Sequence, residues 1–158
     1  MQPIPLRPAE LKDVDAIVRL VNYAFLAEGP YIAGDRVDAD GVREMFGKGT
    51  FLLAEKEDTL AACVFVSPQG ERAHLGLVSV DPARQGAGLG SQLMAGAEAH
   101  CRTAGYREME LRFINHRTEL LRFYRKLGFA ETGVTEQMPD TSRIKVPFHF
   151  VQMCKRLG

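Results

Sequence analysis

Val78-Ser-Val-Asp-Pro-Ala-Arg-Gln-Gly-Ala-Gly-Leu-Gly-Ser91 is the stretch whose reading decides the fold. It begins as a short apolar strand and passes into a loop carrying Gly86, Gly88 and Gly90. Leu89, Leu93, Ala97 and Cys101 then recur at steps of four, the mark of a helix with one apolar face. Glycines at that density let a backbone turn tightly and approach a ligand without Cβ atoms in the way. The first N–H groups of a helix lack intrahelical partners, and the helix dipole makes that end positive. A strand, a glycine loop and a helix start therefore predict an anion site, suited above all to phosphate.

Two common nucleotide loops fail against this stretch. A Walker-type loop requires Gly-Lys-Ser/Thr at its end, and no Lys follows any of the three glycines. A dinucleotide loop requires G-x-G-x-x-G directly after a strand, with an acid about 20 residues further on. Glu108 and Glu110 supply such an acid, but Ser91 stands at the third glycine position and residues 81–85 separate strand from glycines.

The loop instead resembles the acyl-CoA pyrophosphate loop of the GNAT (Gcn5-related N-acetyltransferase) superfamily, whose signature Gln/Arg-x-x-Gly-x-Gly/Ala matches Gln85-Gly-Ala-Gly88-Leu-Gly90. Leu111-Arg-Phe-Ile-Asn115 resembles the family's next strand with its terminal Asn. Leu121-Arg-Phe-Tyr124-Arg-Lys-Leu-Gly128-Phe129 resembles its helix ending in Tyr-x-x-x-Gly-Phe. The resemblance covers residues 74–130 and implies an acetyl-CoA-dependent N-acetyltransferase.

Composition agrees with one globular domain of 158 residues. Twenty basic and twenty acidic residues cancel. A dedicated nucleic-acid binder usually carries a basic excess, so attraction for an anionic ligand must be local. Cys63, Cys101 and Cys154 are odd in number and lie in apolar segments without a C-x-x-C or Cys/His cluster. They read as reduced thiols of a cytoplasmic protein, with no metal site. No apolar run approaches the ~18 residues of a membrane span, and no basic-then-apolar leader is present.

Along the chain a strand is expected at 4–6, then a helix capped by Asp13 with Ile17, Leu20, Val21, Ala24 and Phe25 on one face, stopping near Gly29. Asp38 caps a shorter helix through Val42, Met45 and Phe46. Residues 50–55 and 60–67 form a hairpin, and 74–80 a strand. The glycine loop opens the third helix, with Gly105 just past its end. Residues 109–114 form the fifth strand, 119–127 the fourth helix, and 129–134 and 148–154 the last strands, joined by a loop containing Pro139 and Pro147. Hairpins demand antiparallel neighbours and the single crossover demands parallel ones. The expectation is an α/β (α+β) fold: a mixed, mostly antiparallel sheet of about seven strands with four helices on its faces. The resemblance implies that strands four and five, the parallel pair, splay apart to admit the cofactor.

The same resemblance assigns candidate residues. Tyr124 stands where many family members place a tyrosine acid beside the thioester sulfur, with packing on the sheet as its alternative role. His74, at the start of the fourth strand, is a candidate base because imidazole titrates near neutrality; Glu55 is another, and a base acting through ordered water remains open. Main-chain groups of Val78, Ser79 and Val80 are expected to pair with the pantetheine arm and to supply the oxyanion donor. Residues Gln85, Gly86, Ala87, Gly88, Leu89, Gly90 and Ser91 are expected around the pyrophosphate, with Arg84 on a phosphate oxygen. Asn115 resembles the family's cofactor-contacting Asn and equally suits a turn. Arg117, Arg122, Arg125 and Lys126 read as a solvated helix face, with the cofactor's ribose phosphate as their alternative partner.

The acceptor, a small amine or a peptide, is expected between loops 28–36 and 135–147, with Glu28, Tyr31 and Asp35 available to hold an ammonium. A homodimer is compatible with this reading; nucleic acid and membrane are not expected partners. The rival reading from another class is a catalytically silent acyl-CoA sensor or interaction module that keeps the glycine loop.

Overall fold

A computed structural model describes residues 3–138 and 140–158; Pro139 lies outside the described residues. The elements follow as β1 (Arg7–Pro8), α1 (Val14–Ala24), α2 (Ala39–Met45), β2 (Thr50–Lys56), β3 (Thr59–Gln69), β4 (Arg72–Val80), α3 (Leu89–Thr103), β5 (Glu108–Ile114), α4 (Thr118–Lys126), β6 (Ala130–Glu136) and β7 (Phe150–Arg156). They build one seven-stranded sheet in the order β1-β2-β3-β4-β5-β7-β6. Every neighbouring pair is antiparallel except β4 and β5. The last strand thus inserts between β5 and β6.

Strands β2 and β3 are buried on both faces, which is why they read as almost continuous apolar runs. Phe51, Leu53, Cys63 and Phe65 pack with Ile17, Leu20 and Val21 of α1 and Val42 of α2. Leu52, Ala54, Ala62, Val64 and Val66 point the other way, into a cluster with Leu89, Leu93, Ala97 and Cys101 of α3 and Tyr124 of α4. The period-two alternation sends successive side chains to opposite faces, so one hairpin serves two cores. Cys63 and Cys101 are buried free thiols, and Cys154 is half-buried. Burial in the core pushes the Cys63 thiol up to about 12.

Several boundaries depart from the sequence expectation. The first paired strand is Arg7–Pro8, set against Leu53 and Leu52, not 4–6. Ile4 and Leu6 lie over α3 instead: the Ile4 N–H donates to Gln92 O at 3.4 Å, and a Cβ on Gly96 would stand 2.9 Å from both Ile4 O and Leu6 Cδ1. Helix α1 ends at Ala24 and continues only as a 3-10 turn, Phe25–Glu28. Asp38 caps α2 as expected, accepting from Gly41 N at 2.7 Å. Asp13 does not cap α1 with its side chain. Its carboxylate accepts both Arg7 terminal nitrogens at 2.9 Å and the Glu10 N–H at 2.8 Å.

That bidentate partner holds the Asp13 carboxyl below its ordinary 3.8. A depressed native value contributes stability in full above the unfolded value and loses it as pH falls through the native one. Chemical denaturation at pH values either side of 3.8 should therefore show an acid-side loss of stability that shrinks in Asp13→Asn. Equal acid-side losses in both proteins would remove Asp13 from the account.

Among the described residues no helix is long and apolar enough to cross a membrane. No group of three or more His, Cys, Asp or Glu side chains among them is placed to hold a metal ion.

Candidate active site

The parallel contact between β4 and β5 is short. It pairs Arg72 with Glu108, Ala73 with Met109 and His74 with Glu110, and stops there. Beyond His74 the two strands separate. Part of the cause is a bulge: Leu77 takes φ +50°, and the register of β4 against β3 slips between the partners of Cys63 and Phe65. A bulge bends its strand and increases its twist, which carries the C-terminal half of β4 away from β5. Asp81 N–H bonds Ala61 O at 2.8 Å, so by strand alternation the polar groups of Val80 face the opposite edge, into the gap.

The gap is a cleft of about 710 Å³. One wall is β4 from His74 to Val80, omitting Ser79; the other is Leu111, Arg112, Phe113 and Ile114 of β5 with Leu120, Phe123 and Tyr124 of α4. Gln85, Gly86, Gly88, Leu89, Gly90 and Ser91 close one end. There Gly86 has φ +90°, and Gly88, the residue before the helix, has φ +77°. The first α3 hydrogen bond runs from Gln92 N–H to Gly88 O, which leaves the Leu89, Gly90 and Ser91 N–H groups as helix-end donors. Phe25, Glu28 and Arg36 line the other side.

Tyr124 is 5% exposed and wedged among Phe113, Phe123 and Phe129, with ring centroids 5.1–5.8 Å away. Its hydroxyl has no hydrogen-bond partner among the described residues, and burial pushes its pKa up to about 12. The tyrosine therefore both packs and faces the cleft. His74 sits inside the paired part of β4, not at a free strand start, with Nδ1 3.5 Å from the buried Glu110 carboxylate. Glu110 is in turn 3.4 Å from Arg72. Glu28, also buried, faces Arg117 at 3.2 Å, and Arg117 holds Glu119 at 2.9 Å. Burial raises the Glu28 carboxyl against the opposing pull of Arg117.

The acetyltransferase (GNAT) family model matches residues 20–129, more than half of the sequence. The chain belongs to the GNAT family. Two curated relatives, both mycothiol acetyltransferases, are 34% identical over 100 residues (Cellulomonas flavigena) and 30% identical over 123 residues (Actinosynnema mirum). The matches cover 56% and 75% of this chain but 29% and 41% of those relatives, so the chain spans well under half their length. Among solved structures, the PaiA N-acetyltransferase of Thermoplasma acidophilum in complex with coenzyme A superposes with a TM-score of 0.78 at 16% identity, covering 98% of this chain and 99% of that one. At that identity the likeness is one of fold.

Not every residue suggested by the GNAT resemblance reaches the cleft. The Arg84 guanidinium turns to the β2–β3 turn, donating to Thr59 Oγ1 at 3.0 Å and Lys56 O at 3.4 Å. Asn115 does not line the cleft; its Oδ1 accepts from His149 N, and its own N–H donates to His149 O, both at 2.9 Å. That pair fixes the approach to β7. Ser79 is buried with its hydroxyl on Leu77 O at 2.8 Å, and Ala87 is exposed outside the cleft. Glu55 is engaged by Arg7 at 2.5 Å. Tyr31 stacks on His116 at 5.2 Å, away from the cleft. Conversely, Arg117 points inward to Glu28 rather than to solvent, and the sequence assigns no cleft role to Arg112 or, beyond the rejected dinucleotide loop, to Glu110. Their signal was alternation along β5, where charged residues at 108, 110 and 112 interrupt an otherwise apolar strand.

Proposed function

We propose that the protein is an N-acetyltransferase that moves acetyl from acetyl-CoA to a primary amine by direct attack in a ternary complex. The observation that carries this reading is the splayed β4–β5 cleft, with helix-end N–H donors at one end and the Tyr124 hydroxyl in its wall. The residues present fit the co-substrate. The loop from Gly86 to Ser91 offers backbone donors without bulky side chains for a pyrophosphate. The free edge of β4 at Val80 offers a main-chain donor and acceptor for the amides of the pantetheine arm, with Val78 beside it. The acetyltransferase relatives and the coenzyme A complex of a fold neighbour support the same choice.

Acetyl-CoA supplies the acetyl group as a thioester: the amine nitrogen bonds the carbonyl carbon, the C–S bond breaks, and the sulfur ends as a thiol. The chain must take one proton from nitrogen and assist the sulfur. His74, held by Glu110, is the side chain in the cleft best suited to relay the amine proton, directly or through water. Main-chain N–H groups of β4 are the oxyanion donors, fixed before the reaction begins.

Tyr124 has a narrower role than full general acid. A thiol titrates near 8.5, so complete proton transfer from a phenol at about 12 is uphill. The hydroxyl acts as a hydrogen-bond donor to the departing sulfur while keeping its own proton. A hydrogen bond to a charged group contributes about 1.5–3 kcal/mol, so Tyr124→Phe should lower kcat roughly ten- to 150-fold. Acetyl-CoA affinity should change little. Because Tyr124 stays protonated up to about 12, it should add no descending limb to the kcat–pH profile at neutral or mildly alkaline pH. Initial rates over pH for both proteins check this. An unchanged kcat with chemistry rate-limiting would reduce Tyr124 to a packing residue.

A further inference from the structure

The two polar loops expected to shape the acceptor site clasp each other. Ile32 and Ile144 form an antiparallel bridge, Ala33 N–H bonds Arg143 O, and Lys145 N–H bonds Tyr31 O, both at 2.8 Å. Between them lies a second pocket of about 270 Å³. It shares Phe25, Glu28 and Arg36 with the main cleft, so the two spaces adjoin across those residues.

Cations dominate this pocket. Arg36, Arg143 and Lys145 line it against Glu28 and Asp35, and Glu28 already faces Arg117. Among the described residues none of the three cations is ion-paired to a carboxylate.

The backbone that carries Arg36 and the Arg143 side chain are held in place. Asn22 Oδ1 accepts the Arg36 and Val37 N–H groups at 2.8 and 2.9 Å, and Asn22 Nδ2 donates to Val37 O at 2.9 Å. The Arg36 guanidinium lies 5.4 Å from the Phe25 ring centroid. Arg143 donates to Ala33 O at 2.6 Å and to Asp35 O. Gly34, at φ +85°, leaves room for it: a Cβ there would stand 3.3 Å from Nη2. The Arg36 guanidinium thus lies at the junction of the two spaces, near Glu28 but, among the described residues, without an ion pair or hydrogen bond to any carboxylate.

We infer that this pocket is the subsite for an anionic group of the acceptor, so that the amine acetylated is one that carries a carboxylate, of the amino-acid class. The carboxylate meets the Arg36 fork, whose geometry suits bidentate pairing, and Lys145 adds charge. The amine then extends past Glu28 into the cleft. This rests on the acetyltransferase reading above and specifies its substrate.

The test uses the whole protein with saturating acetyl-CoA and follows thiol release. The acceptors are the standard α-amino acids, each beside its α-carboxamide, with β-alanine and γ-aminobutyrate to vary the spacing and phosphoethanolamine as the phosphate counterpart. At least one carboxylate-bearing amine should exceed its neutral partner about tenfold or more in kcat/KM, the scale of one charge-assisted hydrogen bond. Arg36→Gln should raise that acceptor's KM by about tenfold and erase the preference, with the acetyl-CoA KM unchanged. Lys145→Met should act in the same direction, less strongly. Among the described residues neither side chain is hydrogen-bonded through its charged end, and Arg36 loses only its contact with the Phe25 ring, so both variants should stay close to the wild-type melting temperature. Turnover confined to neutral amines, preference for phosphoethanolamine over every carboxylate, or a preference that survives Arg36→Gln would overturn the inference. Failure of coenzyme A to raise the melting temperature of the wild type would instead sink the acetyltransferase reading beneath it.

Discussion

Gly88→Val is expected to remove nearly all of the thermal stabilisation that coenzyme A gives this protein. Gly88 has φ +77° at the residue before α3, a left-handed conformation that a β-branched side chain rarely adopts. The substitution strains the turn, and relief of that strain moves the Gly86–Ser91 donors of the proposed pyrophosphate site. At a ligand concentration of 100 times Kd, binding to the native state adds about 2.7 kcal/mol. For a domain of this size that is roughly 5–11 °C in Tm. Wild type should gain this with coenzyme A and gain nothing with NAD. Gly70→Val gives a control, since Gly70 also has a positive φ (+64°) but lies in the β3–β4 turn outside the cleft. It should lower Tm while leaving the coenzyme A increment intact. A full increment in Gly88→Val, or stabilisation by NAD alone, would contradict the assignment of the loop.

Gly49→Ala should be the most damaging single methyl in the fold. A Cβ there would stand 2.3 Å from Val66 O and 2.8 Å from Phe65 Cζ, where the α2–β2 connection crosses β3. The nearest obstacle is main chain, which has no rotamer to change, so the sheet or the connection must shift. Overpacking of this kind costs about 3 kcal/mol, or roughly 6–12 °C in Tm. Gly105→Ala isolates backbone strain from contact, because its φ is +88° but nothing lies within 4 Å of a Cβ. It should cost only about 1–2 kcal/mol. Thermal melts of the two variants decide the matter, and equal small losses would show that the Gly49 contact relaxes freely.

The strand–loop–helix around residue 85 was legible because glycine spacing and helical periodicity are both local signals. The same holds for the Asp38 cap, the hairpin of residues 50–55 and 60–67, and the Gly105 helix end, each set by a few adjacent residues. The element order allowed one crossover and hence one parallel pair, and β4–β5 is that pair. The position of β7 between β5 and β6 was not legible, since it depends on pairing across a long polar loop.

The misses are instructive about side chains. Asp13 carries a cap residue's chemistry, yet Arg7 competes for its carboxylate with two hydrogen bonds. Arg84 sits beside the loop in sequence but finds oxygens in the β2–β3 turn. Leu77 takes a positive φ that nothing in its side chain announces. Nor does any local pattern predict that loops 28–36 and 135–147 would meet, because their clasp is main-chain pairing between segments over a hundred residues apart.

The most direct test of the central claim is a stoichiometric reaction with the protein in excess over acetyl-CoA, with and without a pooled set of amines, quantifying free thiol, acetylated amine and the intact mass of the protein. Direct transfer in a ternary complex predicts thiol and acetylated amine in a one-to-one ratio, only when amine is present, with the protein mass unchanged. Thiol release that ignores the amine, or acetyl found on the protein before any amine is added, would contradict it.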